Sequence, residues 1–187
     1  MIGELPKKLT INGKDYPILN TDYRNALLIF QAYNDPNLSD EEKVYITLDA
    51  LLGMNNLNSN NAEEAYKKCV WFLDGGVDYS KKRHDPKVMD WEQDEQMLFS
   101  AVNHVAGKEL RTETYIHWWT FLGYFNEIQD GLFSYILSIR QKKASGKKLD
   151  KAEKEYYKNH KDLIEFKKKL SDEEQAYKDD LLASLPK

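Results

Sequence analysis

Thr114–Arg140 reads TYIHWWTFLGYFNEIQDGLFSYILSIR, the densest apolar run of the chain. Placed on a helix at about 100° per residue, Tyr115, Trp118, Leu122 and Phe125 form one stripe. Phe121, Tyr124 and Ile128 flank it on one side and Trp119 on the other. The apolar arc is then about 220° wide, against the ~100° of a helix resting on a core from outside. Such a helix needs neighbours on most sides, so the stretch predicts the central pillar of a bundle. Trp118 falls at the centre of the arc and reads as core. Trp119 falls at its edge, where a large aromatic completes a core or anchors a partner.

Outward from this pillar the chain keeps predicting helices. After the break at Asp130-Gly131, Leu132, Phe133, Ile136 and Ile139 resume a helical period. Upstream, Thr21 is placed to cap a helix through Asn34, with Tyr23, Leu27 and Phe30 on one face and Ala26 and Tyr33 beside them. Ser39 and Glu42 have the spacing of a capping box ahead of Val44, Ile46, Leu48, Leu51 and Leu52, and Gly53 can end that helix. Ala62–Leu73 presents Tyr66, Val70 and Leu73, with Cys69 adjacent, and stops at Gly75-Gly76. Asp90 can cap a further helix carrying Trp91, Leu98, Ala101, Val102 and Val105 up to Gly107. Between these two, residues 77–89 lose all period and hold Lys81, Lys82, Arg83 and His84, which predicts a solvated loop. The one β signal is Lys8–Leu19, KLTINGKDYPIL, in which Asn12-Gly13 divides two short apolar-alternating runs. Pro17 confines its strand to an edge.

Composition agrees. Of 187 residues 41% are apolar and 31% charged, with only 9 Gly and 5 Pro, which favours helices over a β-sandwich or an α/β layer. Net charge is −4. Residues 140–169 hold twelve Lys and Arg against five acids, so that segment is +7 and the remainder −11. Beyond Arg140, KKASGKK reads as a break, Asp150 and Glu153 restart a helix bearing Tyr156, Tyr157, Leu163, Phe166 and Leu170, and Ser171 with Glu174 offers another start. The period allows a single long helix here as readily as two. The expected class is mostly α: a multi-helix bundle with a small N-terminal hairpin and a helical C-terminal extension. The division is 1–140 for hairpin and bundle and 141–187 for the Lys-rich extension, in the same domain or as a mobile appendage.

The residues name no chemistry. His84, His104, His117 and His160 pair neither with each other nor with Cys69 at metal-ligand spacing, and no nucleophile elbow, HExxH helix or phosphate loop is present. Asp90 and Asp94 share a helix face, but acids at a helix start are expected without catalysis. The Lys-rich segment could hold nucleic acid, yet its aromatics fall where a core-facing stripe would lie. A lone Cys69 suits a reducing compartment, and the chain has neither a signal-peptide pattern nor an apolar run long enough for a membrane span.

The order of motifs resembles the bacteriophage gene-product-fifteen family. The matching features are the hairpin followed by Thr21-Asp22 and Arg24, Trp71-Phe72 before Gly75-Gly76, the Asp90 and Asp94 helix, the block His117-Trp118-Trp119-Thr120-Phe121, and Ile139-Arg140 leading into Lys-rich sequence. The resemblance implies a non-enzymatic tail-assembly chaperone of phages with long non-contractile tails, without cofactor or metal. It would act in the host cytoplasm, binding the tape-measure protein and keeping it soluble for tail-tube assembly, with the tail-tube protein and self-association as further contacts. The competing expectation is a nucleic-acid or host-factor binder acting through the Lys-rich segment. No binding positions carry over from the family. From the edge of the aromatic arc and the apolar stripes of the extension, the candidate partner contacts are Trp119, Leu163, Phe166, Leu170, Tyr177 and Leu181.

Overall fold

Asn12 and Gly13 adopt φ of 48° and 79°, the paired left-handed geometry of a tight hairpin turn. They join strands β1, Lys8–Ile11, and β2, Lys14–Pro17, into an antiparallel ribbon. Leu9 and Ile11 point from β1 into the core, where helix α3 (Ala62–Leu73) packs on them. The computed structural model describes residues 3–77 and 86–183, of which 181–183 by backbone only. The predicted loop at Lys81, Lys82, Arg83 and His84 lies outside the described residues.

The remaining elements are α1 (Tyr23–Tyr33), α2 (Asp40–Leu52), α4 (Glu95–Ala106), α5 (Trp118–Asn126), α6 (Leu132–Ala144), α7 (Lys151–Asn159), α8 (Lys161–Ile164) and α9 (Asp172–Ala183). The capping box expected at Ser39/Glu42 forms, the expected helix start at Asp150 and Glu153 is a second capping box, and Gly107 closes α4 in the left-handed region. Helices α1, α2, α3, α4 and α5 surround one core of Tyr23, Ile29, Leu51, Phe72, Leu98, Val102, Trp118 and Phe121. Tyr23 stacks on Phe121 at 4.7 Å between ring centroids.

Several local expectations shift. The central helix begins at Trp118 rather than near Tyr115, because residues 116–118 are extended beside 21–23: Tyr23 N–H donates to the Ile116 carbonyl at 2.9 Å and Trp118 N–H to the Thr21 carbonyl at 2.7 Å. Tyr115 is therefore exposed, and the buried stripe runs through Trp118 and Phe121. Asp22, not Thr21, caps α1, since its carboxylate accepts from Arg24 N–H, while the Thr21 hydroxyl meets the Tyr115 hydroxyl. Helix α1 buries Ala26 and Ile29, leaving Leu27 and Phe30 half-buried; α3 buries Ala65, Cys69 and Phe72 in place of Tyr66 and Val70. Asp90 caps the turn at 91–94, accepting from Glu92 and Gln93 N–H, and the regular helix starts only at Glu95.

The extension is not one long helix. Its first part docks on α6 through a second cluster of Ile136, Ile139 and Ile164, with Tyr135, Leu149, Tyr156, Tyr157 and Leu163 around it. Arg140 ends the helix run there. Its guanidinium makes a two-pronged pair with Asp94, Nη1 to Oδ2 at 2.6 Å and Nη2 to Oδ1 at 2.9 Å. It also donates to the carbonyls of Ile164 at 2.7 Å and Leu163 at 3.0 Å. Those carbonyls are the acceptors the next helical turn would need. Lys167 N–H, deprived of Leu163, donates instead to the Gln93 side chain at 2.9 Å. The chain then crosses to α9 through Lys169 against Glu92 and paired Asp172–Asn37 hydrogen bonds. Described α9 side chains are exposed throughout.

A buried pair broken on one side leaves an uncompensated charge. Arg140→Met is expected to lose roughly 3–5 kcal/mol of unfolding free energy, and Arg140→Met with Asp94→Leu to recover much of that loss. Urea unfolding of both variants measures it; a double variant no better than the single would contradict the pairing.

Candidate functional site

Trp118 and Trp119 use their indole N–H groups on successive carbonyls at the end of α3. Trp118 Nε1 donates to Leu73 at 2.9 Å and Trp119 Nε1 to Phe72 at 2.8 Å. The last carbonyls of a helix lack intrahelical donors, so two side chains from α5 complete the C-terminus of α3. Gly75 and Gly76 make this approach possible: both have positive φ, and a Cβ on Gly76 would lie 2.7 Å from the Trp119 ring. His117 supports the same corner. Its Nδ1 accepts from Trp119 N–H at 3.0 Å, which leaves Nε2 to donate to the Pro6 carbonyl at 3.0 Å.

The other polar candidates are equally engaged. Asp94 is held by Arg140 and by Asp90 N–H; Asp90 takes Lys87 at 2.7 Å in addition to its cap contacts. These contacts and its backbone hydrogen bonds hold the Asp90 carboxyl below the ordinary range against the opposing pull of desolvation. Burial pushes the Cys69 thiol up to about 12. His160 stacks on Tyr156 at 4.1 Å between centroids. Tyr157 lies under Lys143 and its hydroxyl bonds Glu165, so neither tyrosine offers a free face comparable to a nucleobase platform. No group of three His, Cys, Asp or Glu among the described residues could hold a metal ion.

The sequence-derived partner contacts have different surroundings. Trp119 packs with the main core, its polar edge committed to α3 and its ring edge-on to Trp71. Leu163 belongs to the second cluster, and Phe166 lies over Arg140, 4.4 Å from guanidinium carbon to ring centroid. Leu170 is half-buried on the crossing segment, and Tyr177 stands 72% exposed on α9. Leu181 lies outside the residues whose side chains are described.

What the fold does build is an open groove of about 840 Å³ between α4 and the break that separates α5 from α6. Met97, Ala101 and Val105 of α4 face Ile128, Leu132 and Phe133 across it, with Gln96, Ser100, His104, Glu127, Gln129 and Asp130 around the rim. Leu132 is 48% exposed although it starts an otherwise core-facing helix. From Gln96 to Val105 the groove runs about 13 Å, between two and three helical turns. Its sequence signal is Ile128 and Leu132 straddling Asp130-Gly131: two apolar residues on either side of a helix break expose edges that neither helix can cover. A second, narrower groove of about 380 Å³ lies between α1 and α4 over Leu27, Leu28, Trp91 and Phe99.

The model of the family described as Bacteriophage Gp15 protein matches residues 1–166. The chain belongs to that family. No curated protein and no solved structure gives a significant match. The matched region of this Gp15-family chain takes in the hairpin, the tryptophan corner, both grooves and the whole Arg140 junction, and it stops at the Phe166 ring that covers the guanidinium. No described helix is long and apolar enough to cross a membrane.

Two measurements check the corner. Trp118→Phe leaves the Leu73 carbonyl without its indole donor and opens core volume, whereas Phe72 keeps a second donor in Gly75 N–H. Trp118→Phe should therefore cost about 2–4 kcal/mol and Trp119→Phe only about 1 kcal/mol in denaturant unfolding. Cys69 should resist a disulfide reagent at neutral pH in the folded protein and react once urea unfolds it, read as thiol release; rapid reaction in the native state would contradict its burial.

Proposed function

We propose that the protein is a tail-assembly chaperone that binds helical segments of the phage tape-measure protein in the infected cell, and that it acts without catalysis. The observation that carries this reading is the apolar groove beside α4, in a chain of the Gp15 family whose described buried carboxylates and buried His117 are occupied in holding helix ends. A long helical tape-measure chain made ahead of the tube that will enclose it exposes apolar stripes, and exposed stripes aggregate. A groove two to three turns long with an apolar floor accepts such a stripe in the helix-in-groove mode.

Release is as much a requirement as capture, because tube subunits must replace the chaperone. A short open groove makes each contact modest, so that several copies seated on successive stripes of one partner cover it while each stays displaceable.

Co-expression with the tape-measure protein of the same phage tests the proposal. The full chain should raise the soluble fraction of the tape-measure protein and co-purify with it. Leu132→Glu, which puts a charge on an already exposed groove position, should abolish both effects while leaving the unfolding midpoint nearly unchanged. An insoluble tape-measure protein with no association, or rescue untouched by Leu132→Glu, would overturn it.

A further inference from the structure

We infer that the groove beside α4 selects helices whose apolar face is bordered by Lys or Arg; the inference rests on reading that groove as the docking site proposed above. The lining described contains no Lys or Arg. Its floor is Met97, Ala101, Val105, Ile128, Leu132 and Phe133, and its only charged groups are Glu127 and Asp130, both exposed and neither in an ion pair among the described residues.

The two acids differ in what the fold explains. Asp130 stands just before α6, whose N-cap Gly131 has no side chain to cap it, so a negative charge there offsets the positive end of the helix dipole. Glu127 has the opposite position. It is the C-cap of α5, at the negative end of that helix, where a cation stabilises and an anion destabilises. Nothing within the described chain neutralises it. A carboxylate kept against its own helix dipole, on the lip of an apolar groove, is placed to meet a cation on whatever lies in the groove.

The chain's own segments are poor occupants. Helix α9 carries Asp172, Glu173, Glu174, Asp179 and Asp180, the wrong sign for this rim. The basic helix α7 already spends its aromatic side, Tyr156 and Tyr157, on the second cluster. An amphipathic helix of another protein, with Lys or Arg one turn to either side of its apolar stripe, satisfies floor and rim together.

Two fluorescein-labelled, helix-stabilised peptides of equal length and identical Leu stripe, one flanked by Lys and the other by Glu, serve as probes against the full-length protein by anisotropy. The Lys-flanked peptide should bind roughly five-fold more tightly at low salt, with the gap closing as salt screens the rim. Glu127→Lys should remove or invert that preference without lowering the unfolding midpoint, and Leu132→Ser should weaken both peptides alike. Equal binding of the two peptides, a preference unchanged by Glu127→Lys, or Lys-peptide binding indifferent to Leu132→Ser, which would mark diffuse attraction to an acidic surface, would each overturn the inference. A dimer that Leu132→Ser dissociates would also overturn it, by naming a second copy as the occupant. Because the probes are synthetic, failure of tape-measure rescue and failure of charge selection are read separately.

Discussion

Trp118 is fully buried and still polar at two points, and both points are satisfied by other parts of the chain. Its backbone N–H reaches the Thr21 carbonyl ahead of α1, and its indole N–H reaches the Leu73 carbonyl at the end of α3. A buried unpaired donor or acceptor costs about 1–3 kcal/mol, so α1, α3 and α5 cannot slide relative to one another without incurring that cost. Ridge-and-groove packing alone permits a range of angles. Here the helix ends, sewn together by Asp22, His117 and the two tryptophans, choose one. Asp22 shows how dense this corner is: its carboxylate caps α1, pairs with Arg24 and accepts Ile116 N–H at 2.9 Å. Gly76 belongs to the same device, because the Trp119 ring occupies the space a side chain would need.

Arg140 performs the corresponding task for the second half. One guanidinium joins α4, α6, the segment at Val88 and the end of α8, all with little water access. Such a pair is weak evidence for added stability over an apolar replacement, but it is highly directional. Its direction has a structural consequence: by taking the carbonyls of Leu163 and Ile164 it stops a helix that the residues beyond would otherwise continue. The family match ends at Phe166, whose ring lies over this guanidinium.

The groove beside α4 follows from how these two centres are spaced. Trp118 holds the start of α5 and Arg140 the C-terminal half of α6, while the link at Asp130-Gly131 contacts neither anchor's hydrogen-bond partners. Ile128 and Leu132 stay part-exposed there because the chain turns before either can be covered. A surface left apolar between two rigid anchors is preformed, which lowers the ordering cost of binding a helix. Its apolar residues are bordered by Glu127 and Asp130.

Much of the architecture could be read from residues alone, and the reason is locality. Asn12-Gly13, the capping boxes at Ser39 and Asp150, Gly107 at the end of α4 and the break at Asp130-Gly131 act within a few residues of themselves, so the chain carries its own hairpin, helix starts and helix stops. The wide arc around Trp118 likewise required a surrounded helix. Tertiary structure alone decided which of two neighbouring faces α1 and α3 bury, that Asp22 rather than Thr21 caps α1, that Trp119 turns its polar edge inward, and that Leu163 and Phe166 gather at Arg140 while Tyr177 stands exposed on α9. Each depends on a hydrogen bond or packing partner tens of residues away, as Trp118 on Leu73 and Arg140 on Asp94. A periodic pattern states that a face is apolar, but the partner that will cover it, or leave it open as at Leu132, exists only once the chain has folded.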